Sequence, residues 1–151
     1  MPETPPITRQ SIDALLEFIP VFEDPEFEFS AWEVSTDEDA PATMRVTPPD
    51  GGPTQSYYHR THPEASRFVR ALYENDWVVP FDWPQWQKTG ERYTESEAAL
   101  QEADLDVLRK LLTTHVRKER FCEGHLSAMH RCGHLTALLR RMRELRDSVP
   151  S

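Results

Sequence analysis

Arg120-Phe121-Cys122-Glu123-Gly124-His125-Leu126, followed by Gly133 and the run Leu138-Leu139-Arg140-Arg141-Met142-Arg143-Glu144-Leu145, decides how this chain folds. It reads as two helices joined by a glycine, with a thiol, a carboxylate and several cations in a segment too short to hide them all. Upstream, Asp104 precedes Leu105, Leu108, Leu111, Leu112 and Val116, an apolar stripe at helical spacing that starts behind a good cap and reaches about Lys118. A second helix is expected over about 121–132, interrupted early at Gly124, and Gly133 has the chemistry of a left-handed C-cap. A third, over about 134–146, turns Leu135, Leu138, Leu139, Met142 and Leu145 inward. Its basic residues near the end suit the negative pole of the helix dipole.

Working toward the N-terminus, Ile12, Leu15, Leu16 and Ile19 predict a helix from about Thr8 to Phe22, capped by Thr8 or Ser11 and ended by Pro20. Residues 27–34 alternate like a half-buried strand, with Ala42, Met44 and Val46 as its expected partner and the acidic stretch 36–41 as the hairpin loop between them. Residues 47–56, rich in proline and glycine, read as a surface loop. A helix resumes at Pro63 behind Thr61 or His62, with Ala65, Phe68, Val69, Leu72 and Tyr73 on one stripe. Residues 77–81 read as extended, and residues 82–86 as a turn. The resulting expectation is an α+β fold, mainly α, in which a small N-terminal antiparallel β element packs on a C-terminal three-helix unit. At 151 residues the chain is expected to form a single domain, 1–151, with an acidic α/β part, 1–103, and a basic helical part, 104–147.

The formal charge of -9 divides unevenly: residues 1–103 hold 7 Lys and Arg against 20 Asp and Glu, and residues 104–151 hold 10 against 6. An acidic whole disfavours nucleic acid, whose binding is largely phosphate neutralisation, and leaves an anionic face suited to a basic protein partner. No apolar run reaches the roughly 20 residues of a membrane span. The two cysteines and a start without a basic or apolar leader predict a reduced, cytoplasmic protein that does not engage membranes.

Phe81-Asp82-Trp83 with Trp86, then Leu111-Leu112-Thr113 leading into Arg117, Arg120-Phe121-Cys122-Glu123-Gly124, Gly133 and Leu139-Arg140-Arg141 resemble a bacterial family of small proteins of unknown function. The resemblance runs from Ile12 to Leu145 and is most specific at the Arg-Phe-Cys-x-Gly block. Asp82, Trp83, Trp86, Arg117, Arg120, Phe121, Cys122, Gly124 and Gly133 match the family pattern, while His125, Cys132 and His134 are particular to this chain. The resemblance implies no activity.

Four chemistries are open to these residue types. Cys122, His125, His130, Cys132 and His134 are metal-ligand types, but they crowd two consecutive helices without separated ligand pairs, so surface or capping histidines and no metal or cofactor are expected. Cys122 as a nucleophile, with His125 as base, lacks an oxyanion-hole signature or a glycine elbow, and a core thiol is expected. Trp32, Trp77, Trp83 and Trp86 read as aromatic core, or as the walls of a pocket. That pocket would bind through Asp82, Trp83, Trp86, Arg117, Arg120, Cys122 and Glu123, with Arg120 or Glu123 reaching Asp82 or the tryptophans. A helix-turn-helix reading of the last two helices meets the objection that the arginines stand near the end of the last helix, away from the recognition position. The function expected first is an interaction or regulatory module with an unknown protein partner; the alternatives are an enzyme or ligand-binding protein using that pocket, and a helix-turn-helix-like nucleic-acid binder.

Overall fold

The computed structural model describes residues 4–35 and 44–150. Helix α1 (Arg9–Leu16) starts on a reciprocal cap: Ser11 N donates to the Thr8 hydroxyl, and Thr8 N donates to Ser11 Oγ. The single helix expected to Phe22 is in fact two. The chain breaks after Leu16, and Pro20 lies in the first turn of a short helix α2 (Ile19–Glu23). Proline lacks an N–H that first-turn positions leave unpaired anyway, so here it starts a helix where the sequence suggested an end.

Three strands follow: β1 (Ser30–Ser35), β2 (Met44–Val46) and β3 (Gln55–Thr61). Their order is β1-β3-β2, with both pairs antiparallel. β2 is one of the expected strands, yet it pairs with β3, and the central strand is a segment that the apolar pattern does not reveal. The stretch expected as a β1–β2 hairpin loop lies outside the described residues. His62 then caps α3 (Pro63–Glu74), its Nδ1 accepting from Glu64 N at 3.0 Å.

The extended segment after α3 is held from within. Trp77 is fully buried and donates its indole N–H to Ser11 O at 2.8 Å, while buried Thr113 donates to Trp77 O and accepts from Val79 N. The expected turn at 82–86 is instead the start of α4 (Trp83–Glu95), capped by Asp82, and α5 (Glu97–Leu100) follows behind Ser96. The C-terminal unit is α6 (Leu105–Glu119) behind Asp104, α7 (His125–Arg131) and α8 (His134–Leu145). The three pack on one another as expected.

One apolar cluster runs from Ile12 of α1 through Phe68 of α3, Leu108 to Val116 of α6 and Leu135 to Met142 of α8. The fold is mainly helical with a small three-stranded antiparallel sheet, set beside α3 and the α6–α7 corner. Gly133 has φ 86° and closes α7 as it opens α8, with open space where a Cβ would stand. Because only the backbone conformation resists a side chain there, Gly133→Val is expected to cost about 1–2 kcal/mol in denaturant unfolding. An unchanged midpoint would show that the left-handed turn is dispensable.

Candidate functional site

The residues singled out by sequence do not form one pocket. Asp82 commits its carboxylate to the Gln85 amide at 3.2 Å, as the cap of α4. Trp86 lies over Gly90, where a Cβ would come within 2.7 Å of its ring, and packs against Phe81. Trp83 meets Phe121, with ring centroids 6.1 Å apart. Arg117 is half-buried in the last turn of α6. Cys122, expected inside, is exposed, because the chain leaves the helix just before it and turns outward. Arg120 and Glu123 meet Tyr73 and His59, not Asp82 or the tryptophans. The aromatic core expected of four tryptophans contains Trp77 alone in full burial; Trp32 stands 49% exposed on the sheet.

What fixes the Arg-Phe-Cys block is a carboxylate. Glu119, at the end of α6, accepts from Gly124 N at 2.7 Å through one oxygen and from Leu126 N at 2.8 Å through the other. These amides belong to the cap and first turn of α7, where helices leave N–H groups unpaired. Gly124 makes the corner with φ 97°. The clamp leaves Phe121 78% exposed and directs Arg120 and Glu123 to the side facing the sheet.

Between that corner, α3 and the sheet lies a cleft of about 580 Å³, with Phe29, Val69, Val116 and Leu126 as its apolar lining. Its sheet wall follows from the β register. Trp32 is paired with His59 and Ser30 with Thr61, so period-two alternation puts these four side chains on one face. The His59 side chain is only 7% exposed, and its Nδ1 lies 3.0 Å from Glu123 Oε1, a contact that favours the hydrogen on Nδ1. In the neutral imidazole this leaves the lone pair on Nε2, which has no partner among the described residues. Ser30 Oγ, beside it, is buried without a hydrogen-bond partner. A second recess of about 300 Å³ shares Ser30, His59 and Glu123, so the His59–Glu123 pair stands in the wall between two hollows. Sequence reasoning missed His59 because its strand was not recognised.

Behind the corner, three imidazoles form a row. His115 Nδ1 lies 2.9 Å from His125 Nε2, and His115 Nε2 lies 3.0 Å from His134 Nε2. His134 is buried, contrary to the expectation that it lies at the surface or in a cap, and so is His115, which the sequence did not single out. Burial, followed by the charges of His134, His125 and Lys118, pushes His115 well below the ordinary imidazole value. Burial and then His125 push His134 down to about 4. Burial and Lys118 lower His125, against an opposing pull from Glu119. Each of the two links can hold one hydrogen and each outer nitrogen one more, four places for the three hydrogens of the neutral rings. The row therefore accepts one proton beyond the neutral state without losing a link, and a second sets two N–H groups face to face. The imidazoles meet in sequence and do not converge; among the described residues no group of three or more His, Cys, Asp or Glu side chains is arranged to hold a metal ion.

The model of DUF6508, a family of unknown function, matches residues 7–148. The chain belongs to this family. No curated protein and no solved structure matches it. The DUF6508 match takes in the whole cleft, the Glu119 clamp and all three histidines of the row. No helix among the described residues is long and apolar enough to cross a membrane.

Proposed function

We propose that this protein binds a small molecule in the cleft between the sheet and the α6–α7 corner, with His59 as the group that exchanges a proton with it. One observation carries the reading: an imidazole held at Nδ1 by Glu123 and open at Nε2, in the wall of a cleft of about 580 Å³. That volume lies in the range of about 300–1,000 Å³ typical of ligand sites. A carboxylate beside one ring nitrogen orients the imidazole and favours the tautomer in which the other nitrogen is free to take a proton from a ligand O–H or N–H. Arg120 and Glu123, from the residues first singled out, belong to this site; Asp82, Trp83, Trp86, Arg117 and Cys122 do not line its cleft.

A second reading keeps the protein as a cytoplasmic interaction module with a basic protein partner. Its support is the hollow along β1, where Glu26 and Glu28 stand with Glu33, itself paired with Arg60, beside an outer strand of the sheet. A fragment titration followed by amide NMR separates the two. Small apolar fragments are expected to shift the amides of Val69, Val116 and Leu126, and Glu123→Gln is expected to weaken their binding at a stability cost under about 1 kcal/mol, since the Glu123 side chain is 43% exposed. Fragments that leave those three amides unmoved would overturn the cleft reading and return the acidic β1 hollow as the working surface.

A further inference from the structure

The unspent hydrogen-bonding groups of the cleft define what it can hold. Arg120 donates to one neutral oxygen, Tyr73 OH at 3.2 Å, and has no carboxylate within ion-pair distance among the described residues. Its remaining N–H groups form a planar fork suited to a carboxylate. The two acids of the cleft differ. Glu119 has both oxygens occupied by backbone amides, whereas Glu123 gives one oxygen to His59 and is 43% exposed, so its second oxygen can accept. His59 Nε2 adds a further acceptor in the neutral ring. A plain anion would satisfy Arg120 and face Glu123 unpaired, and a plain cation would do the reverse. Either mismatch leaves a charge without its partner in a partly desolvated site, which is the costly outcome.

We propose that the ligand is a small zwitterion with an apolar body: an α-amino acid with a branched or aromatic side chain, its carboxylate on Arg120 and its ammonium between Glu123 and His59. The proposal rests on the reading of the cleft as a ligand site. Phe29, Val116 and Leu126, all buried, together with half-buried Val69, supply the apolar surface for the side chain. The unpartnered Ser30 hydroxyl supplies one more polar contact at the same wall.

The full chain would be titrated by calorimetry and amide NMR with L-leucine and L-phenylalanine, with isocaproate, which lacks the ammonium, and with isoamylamine, which lacks the carboxylate. Each truncated probe is expected to bind about tenfold or more weakly than leucine. In Arg120→Gln, an exposed position whose loss should leave melting unchanged, leucine is expected to fall to the affinity of isoamylamine, while isoamylamine itself is unaffected. Equal binding of leucine and either truncated probe, or leucine binding indifferent to Arg120→Gln, overturns the proposal. If neutral apolar fragments shift Val69, Val116 and Leu126 but the amino acids do not, the zwitterion is wrong and the cleft stands. If neither does, both readings fall.

Discussion

Stability toward urea is expected to drop steeply as the pH is lowered from about 6.5 to 4, well before the carboxylates titrate fully. The cause is the row of half-buried His125 with buried His115 and His134, all three of which are pushed below the ordinary imidazole value by burial first. An unfolded histidine takes up its proton near 6.5, whereas the folded His134 does so only at about 4. Between those values the unfolded chain binds more protons than the native one, so stability falls as the pH falls and is recovered as it rises. His134 alone contributes about 3 kcal/mol to this loss. His115, also held well below the ordinary imidazole value by burial, adds to the same loss. Asp13 and Glu33, whose carboxyls are lowered by hydrogen bonds from Arg146 and Tyr58, lose their contributions only as the pH falls through the carboxylate range. The measurement is urea unfolding at a series of pH values, with imidazole NMR to identify the protonating rings. Equal stability at pH 7 and pH 5 would sink the argument.

Trp77→Ala is expected to cost about 3–5 kcal/mol, enough to leave little of a typical domain's stability. The indole is fully buried where the segment after α3 crosses the core, and it ties that segment to Ser11 of α1. Trp77→Phe keeps most of the apolar contact and gives up one hydrogen bond, so about 1 kcal/mol is expected. Two variants with similar losses in urea would mean that the hydrogen bond, and not the packing, dominates. Thr113 supports the same segment by donating to Trp77 O and accepting from Val79 N, which explains a polar residue at full burial on a helix otherwise turned inward by leucines.

The candidate site was only partly legible. Arg120 and Glu123 drew notice because charges in a short helical corner have to point somewhere, but their partners could not be read. His59 lies in Gln55–Thr61, a strand of tyrosines and polar residues with no apolar alternation. Its faces are lined by Tyr58, Arg60 and Glu33 on one side and by the cleft on the other. The extent of α4 was hidden for a related reason: Gly90 and an exposed polar face obscure its period, and what keeps the glycine there is the Trp86 ring lying over it.

By itself the sequence determined the mainly helical α+β class, the start of α6 at Asp104, the starts of α1 and α3 to within a choice of cap (Thr8 or Ser11, Thr61 or His62), the inward leucines of α6 and α8, and the turn at Gly133. These are local matters: an apolar stripe, a cap and a positive φ are each settled by neighbours within a few residues. Only the tertiary structure decided the central place of β3, the outward turn of Cys122, the His59–Glu123 pair in the cleft wall and the three-histidine row. Those depend on which distant polar groups are brought within hydrogen-bonding distance once the core has closed, and burial of apolar stripes, being non-directional, does not specify such partners in advance.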